Sequence, residues 1–477
     1  MSFSLEDLIQ WDDKIKEVVE RYRLRIYPQE FDICDHNEMI GYMAYAGMPS
    51  RYSHWSFGKG FERQRMLYQH GVAGLPYEMV INSNPCVAYL MRDNTLLLQI
   101  LTIAHVYGHN DFFANNFTFK SGIDAQYTLP MFKAHATRVE RYMQDPSIGL
   151  ETVEDTLDHA HALAFQCSKN LAIRKVSMEE QKEELWARSQ PQPDPFANIH
   201  QKKEFVAPDL NKIPIEPDED LLEFVATHNP YLPEWKRDLL RIVASETRYF
   251  IPQMETKIMN EGWASYWHHK IMNQLDLSED LRLEFMVRHN QVLRPIPGSI
   301  NPYHLGFILW HQIEDRANKE AGLDPEEVKY EIDTPGRQMI FQVREADRDT
   351  SFLRRFLDEA TVRELNLFTH ERRGKERVVA QVADRQGWRD VKEQLIKNVG
   401  SGGIPVIKIE DADYKRQHIL YLKHYHDGRD LQLEYAEATL RHLYKLWERE
   451  VVLETLLGGK KVLLRMIEGE KLAIEKP

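Results

Sequence analysis

Residues 98–113 read LQILTIAHVYGHNDFF, and the fold and the chemistry both turn on how this stretch is read. Apolar side chains recur at steps of three and four through Leu98, Leu101 and Phe112, the period of an α-helix with one buried face. His105 and His109 fall on that same face, one turn apart. At that spacing two imidazoles on one helix can share a metal ion. Residues 254–272, METKIMNEGWASYWHHKIM, make the same choice. There the stripe runs Met254, Ile258, Glu261, Ser265, His268, Met272, with a glutamate in the middle of an apolar face. A lone buried carboxylate is costly and needs a partner or a cation. Two hydrogen-bonded core histidines would explain the first helix alone. Glu261 on a matching stripe tips the balance, because two His and one Glu form the ligand set of one class of catalytic zinc. A divalent metal, zinc by this ligand set, is therefore the expected cofactor.

The chain has 477 residues, 43% of them apolar, and a net charge of −13. That length suits more than one domain. The negative charge argues against general nucleic-acid binding and against attraction to an anionic membrane surface. Cys34, Cys86 and Cys167 are scattered, with no CxxC spacing, which fits a reducing compartment rather than a disulfide framework. The acidic amphipathic start MSFSLEDLIQWDDKIKEVVE has neither the basic nor the apolar region of a signal peptide. No window is long and apolar enough to span a membrane. The expectation is a cytoplasmic protein without membrane insertion.

Along the chain, residues 4–25 read as helix. Residues 30–69 begin as helix and break at Gly47–Pro49, with residues 49–60 (PSRYSHWSFGKG) as a loop rich in aromatic and basic groups. Residues 77–93 read as extended, with Cys86–Met91 a buried strand. Two helices are expected over 130–170, the second carrying Asp155, Asp158, His159 and His161 mainly as a polar face. Residues 188–219 lack periodicity and read as an excursion. Helices resume to 364, where His304, His311 and Glu314 read as structural. From 365 the texture changes to strand, helix, strand, strand, helix and a Gly458–Gly459 hairpin, a ferredoxin-like pattern. The expected architecture is a mainly α domain over 1–364, holding the metal site, and a small α/β ferredoxin-like domain over 365–477.

Four strings, MPSRYSHWSFGKGFERQRMLY, IAHVYGHNDFFANNFTF, DPFANIHQKKEF and ETKIMNEGWASYWHHKIM, resemble the stage V sporulation protein R (SpoVR) family, and the likeness extends over nearly the whole chain. The resemblance implies a link to formation of the spore cortex, a peptidoglycan layer, without naming a reaction. Asn260–Glu261–Gly262–Trp263–Ala264 is also similar to the NEGxA string of gluzincin metallopeptidases. That likeness implies a gluzincin-like helical core with a few strands, His105 and His109 as zinc ligands and Glu261 as the third.

One departure matters. The glutamate that acts as general base in H-E-x-x-H is Val106 here, so no catalytic residue is identified, and His54 and His268 are the candidates for the base. The separation of His109 and Glu261, 261 − 109 = 152 positions, also requires an inserted subdomain.

Arg51, His54 and Trp55 of the aromatic loop are expected to contact substrate. His268, about 10 Å along the axis from Glu261, suits a place behind the ligands or against substrate. Tyr107 points away from the site. Two functions stay open: a metal-dependent hydrolase acting on a peptide or amide, or an inactive metallopeptidase-derived scaffold that binds a partner protein. A di-metal carboxylate bundle drawing on Asp155, Asp158, His159 or Glu314 ranks last, because the Glu-x-x-His motifs it needs are missing around these residues.

Overall fold

The structure is a computed structural model that describes residues 3–69, 78–170, 172–190, 207–296, 300–373, 376–382, 387–469 and 471–476. Much of the excursion expected over 188–219 lies outside the described residues. The chain is mainly helical, with an α/β region at its C-terminal end. It divides into two compact units, each built from two stretches: Met1–Glu140 with Arg248–Gly403, and Arg141–Thr247 with Ile404–Pro477.

This division differs from the boundary expected at 364/365. The helix Trp388–Asn398 buries Val391, Leu395 and Ile396 in the same apolar cluster as Trp263, Trp267 and Trp310, which holds it in the first unit. Residues 141–247 join the second unit, so the long gap between His109 and Glu261 is mostly an excursion into another compact body.

In the second unit a five-stranded sheet runs in the order Lys471–Glu475, Lys460–Ile467, Val451–Leu457, Ile419–His424, Ile407–Tyr414. Neighbours pair antiparallel except Ile419–His424 with Val451–Leu457, a parallel pair joined through the helix Leu433–Trp447. Strand order thus follows the chain, which is not the ferredoxin-like wiring expected from the element sequence. The strand Glu376–Val382 pairs with Phe368–Arg373 in a separate two-stranded sheet, leaving the ferredoxin-like pattern without its first strand. Asp218 bridges to Ile409 and extends the sheet edge.

Two helices organise the first unit. The histidine helix, Leu96–Asn115, starts where the Thr95 hydroxyl accepts from the Leu98 amide at 3.2 Å and ends at Asn116. It is buried all round rather than along one stripe, with Gln99, Thr102, Asn110 and Asp111 as fully enclosed as Leu97. The glutamate helix, Lys257–Met272, has no side-chain cap of its own. The carboxylate of Asp349 accepts from the Ile258 and Met259 amides at 2.9 Å each, which satisfies two of the orphan donors of the first turn.

A three-stranded sheet flanks them, with Cys86–Met91 between Gln29–Cys34 (parallel) and Glu78–Ile81 (antiparallel). Residues 30–34, expected to begin a helix, instead belong to the strand Gln29–Cys34, because its pairing with Cys86–Met91 overrides the local pattern. Likewise the expected loop 49–60 is helical from Trp55, and the helices expected up to 364 end in three short ones, Pro335–Ala346, Asp349–Phe356 and Glu359–Glu364.

Glycines set how closely these helices approach. A Cβ on Gly108 would lie 2.6 Å from the Ala264 Cα, so the histidine and glutamate helices nearly touch backbones there. On its other side the glutamate helix meets Pro302–Glu320, where a Cβ on Gly306 would lie 2.2 Å from the Ile258 carbonyl oxygen. Gly306→Ala should therefore push this pair apart and destabilise the fold by about 1–3 kcal/mol. Gly58→Ala, with nothing within 4 Å, should be neutral or stabilising. Equal urea midpoints for the two variants would contradict this packing.

Candidate metal centre

Gly108 sits between His105 and His109, so the close contact at Gly108 delivers Glu261 to the two imidazoles. Glu261 Oε2 lies 3.5 Å from His109 Nε2 and 3.9 Å from His105 Nε2. A second carboxylate arrives from the first residue of the strand Glu78–Ile81. Glu78 Oε1 is 3.9 Å from His105 Nε2, and ligand atoms of Glu78, His105 and His109 all lie within 4.8 Å of one another. Separations of 3–4 Å between ligand atoms suit a common ion bonded at about 2 Å to each. His105 Nε2 and Glu261 Oε2 are buried without a hydrogen-bond partner. Buried polar atoms normally have one. A cation between them would satisfy both, so the residues present fit a metal.

The far nitrogens of both rings are committed. His109 Nδ1 meets Asn260 Oδ1 at 2.9 Å. With the amide so oriented, the ring must carry its proton on Nδ1, leaving the Nε2 lone pair towards Glu261. His105 Nδ1 meets His268 Nδ1 at 2.9 Å, and His268 Nε2 meets His289 Nδ1 at 2.8 Å. A neutral imidazole has one N–H and one lone pair, so this chain has only two polarities. In one, His105 carries its proton on Nε2, where the two carboxylate oxygens at 3.9 Å are too far to accept it. In the other, His105 donates from Nδ1 to His268, His268 donates from Nε2 to His289, and the His105 Nε2 lone pair is free to bind metal.

Electrostatics point the same way. Burial lowers the pKa of His109 to about 4, with His105 reinforcing and Glu261 opposing. Burial also holds His268 well below its usual range and takes His289 down to about 3. These rings are therefore neutral near pH 7, the form that binds metal or passes a hydrogen bond. The two carboxyls diverge. Burial raises Glu78, with Glu261 adding and His105 opposing. Burial also raises Glu261, but His105, His109 and Lys257 outweigh it and hold that carboxyl below its ordinary value.

The structure thus brings His105, His109 and Glu261 together, with His268 bonded to His105. Arg51 lies over the Phe57 ring at 4.7 Å and the Phe250 ring at 5.8 Å. His54 Nδ1 meets the Ser56 hydroxyl at 2.7 Å, and Trp55 is half exposed. Tyr107 does face away, donating to Asp12 at 2.7 Å. Glu314 belongs to a buried structural network with Lys270 (3.2 Å) and Arg337 (3.0 Å). His159 pairs with His442 at 2.9 Å in the second unit, away from the di-metal role considered for it. Sequence reasoning missed Glu78, Asn260 and His289. The signal for Glu78 was a carboxylate opening an apolar strand just before the histidine helix.

His268→Phe removes the acceptor that fixes the His105 tautomer. It should weaken Zn²⁺ binding about 10–100-fold, measured by competition with a chelating dye. In the unaltered chain, a proton competes at His109 only as pH falls towards about 4, so its contribution to affinity should persist well below pH 6.5 and fade only near pH 4. Unchanged affinity in the variant, or a loss centred on pH 6.5, would contradict this geometry.

Residues 2–404 match the family model described as SpoVR like protein, and residues 405–458 match the SpoVR-like C-terminal domain. An Escherichia coli (strain K12) protein named "Uncharacterized protein YcgB" is 34% identical over 469 residues, covering 92% of this chain and 90% of that one. No solved structure matches. Among the described residues, no helix is long and apolar enough to cross a membrane. The two family models together span nearly the whole chain, and the protein belongs to the SpoVR family.

Proposed function

We propose that the first unit is a metal-dependent hydrolase acting on a peptide or amide bond, with His105, His109 and Glu261 as ligands and Glu78 as general base. The observation that carries it is the pair of buried, unpartnered atoms, His105 Nε2 and Glu261 Oε2, facing His109 and a second carboxylate. A divalent ion, zinc by ligand type, would supply a Lewis acid and a water of lowered pKa.

Glu78 fills the role left open by Val106. Its carboxylate reaches the site from a strand rather than from the histidine helix, so the base need not follow His105 in sequence. Glu78 accepts the proton of the attacking water as the C–O bond forms. It returns that proton to the leaving nitrogen as the C–N bond breaks. A carboxyl raised by burial suits this work better than one lowered by neighbouring histidines, which assigns proton transfer to Glu78 and ligation to Glu261. Arg51, His54 and Trp55 are proposed as the rim that contacts substrate. The link of the family to spore cortex suggests peptides of peptidoglycan as the first substrates to try. Val106 favours the second reading, a scaffold in which the same site binds a peptide or partner protein without cleaving it.

Zinc-loaded full-length chain should cleave members of a library of peptidoglycan stem peptides and mixed-sequence peptides, read by mass spectrometry. Glu78→Gln should keep its zinc while losing about 10²–10⁴-fold in rate, and Glu261→Gln should lose zinc affinity. Cleavage by Glu78→Gln at the full rate would remove Glu78 as base. A zinc-loaded chain that binds peptides and cleaves none would replace the hydrolase with the scaffold.

A further inference from the structure

A cavity of about 610 Å³ opens in the second unit, between residues 209–231, the turn after the strand Ile407–Tyr414 and the end of the helix Leu433–Trp447. Its volume falls in the range of small-molecule sites. It contains none of the residues of the metal centre.

The charges around it are used unequally. Asp209, Asp411 and Asp413 line it, and each is engaged in local backbone capping. Asp209 accepts from the Asn211 amide at 2.9 Å, Asp411 from the Asp413 amide at 2.8 Å, and Asp413 from the His418 amide at 2.8 Å. Four cations line it as well: Lys212, Lys415, Arg416 and Arg449. None of these four forms an ion pair among the described residues. Lys415 lies over the Tyr414 ring at 5.2 Å, and Arg449 donates to the Glu448 carbonyl at 2.7 Å. In a chain of net charge −13, four cations against three aspartates leave this lining with a formal charge of 4 − 3 = +1.

Two of the four cations sit on the tight turn that joins the strands Ile407–Tyr414 and Ile419–His424. Lys415, Arg416 and His418 have φ of 57°, 57° and 53°, within one short turn. Side-chain-bearing residues avoid this left-handed region, and such strain gathers where side-chain placement matters. Aromatic surface lies beside the cations. Tyr231 is 50% exposed, and the Arg449 guanidinium sits 4.6 Å from its ring centre. A guanidinium stacked this way keeps its N–H edge available to phosphate oxygens.

We propose that this cavity binds a phosphorylated small molecule carrying a planar ring, the chemistry of a nucleoside phosphate. Lys415, Arg416 and Arg449 hold the phosphate, and Tyr231 takes the ring. The test is calorimetry on the full-length chain in chelator-containing buffer, so that a metal-bridged contact at the first unit does not contribute. The probes are AMP, ATP, adenosine and inorganic phosphate. AMP or ATP should bind, adenosine and inorganic phosphate at least 10-fold more weakly. Arg416→Glu, an exposed substitution, should weaken nucleotide binding at least 10-fold with the circular dichroism unchanged. Tyr231→Ala should weaken AMP while leaving inorganic phosphate unaffected. Absence of binding by both nucleotides, or nucleotide binding undiminished in Arg416→Glu, would overturn the site. Inorganic phosphate binding as tightly as AMP would overturn the assignment of the ring to Tyr231.

Discussion

Across 3.9 Å, a nitrogen of His105 faces an oxygen of Glu261, and neither has a hydrogen bond. Leaving two such atoms buried costs on the order of 1–3 kcal/mol each, more for the charged one, and the helices that carry them are held close together. Gly108 lets the glutamate helix approach the histidine helix to backbone contact, and Gly262 and Gly306 do the same on its opposite side. The glutamate helix is thereby clamped between two neighbours. Asp349 fixes its start, and the Trp263 indole donates to Asp111 at 2.9 Å. The strain of the unpartnered atoms is thus borne by a scaffold whose helix spacings have little room to relax.

The buried charges of the first unit fall into two kinds. Asp111 is met by Arg344 at 2.6 Å, by Trp263 and by the Arg25 amide at 2.8 Å. Glu314 is met by Lys270, Arg337 and Tyr266. In those networks each carboxylate has partners of its own, as buried ion pairs require. Glu78 and Glu261 instead share the two imidazoles of His105 and His109. Their pKa values move in opposite directions, Glu78 up through burial and Glu261 down through the neighbouring His105 and His109. This contrast within one core is what supports the proposed site.

The sequence made some of this readable. His105, His109 and Glu261 stood out because ligand-type groups occupied helix faces that should be apolar, and the structure brings them together. The stripe itself was a weaker guide than it seemed, since the histidine helix is buried on every side and its polar residues are enclosed too. Glu78 escaped notice because a carboxylate at a strand end looks like an ordinary edge residue until the strand is seen beside the helix. The wiring of the C-terminal sheet escaped because element order does not say which strands pair, and Glu376–Val382 pairs only with its own hairpin partner among the described residues. The unit division escaped for a related reason. A short amphipathic helix such as Trp388–Asn398 does not reveal in its sequence which core receives it.

The most direct measurement is X-ray absorption at the zinc edge of the zinc-loaded full-length chain. Two imidazole nitrogens with carboxylate or water oxygens, at about 2.0–2.2 Å, are the expected shell, and the imidazole scattering should fall when His105 or His109 is replaced by alanine. A shell of oxygens alone, or imidazole scattering unchanged by either replacement, would mean that the ion sits elsewhere and that the buried His–Glu cluster is not a metal centre.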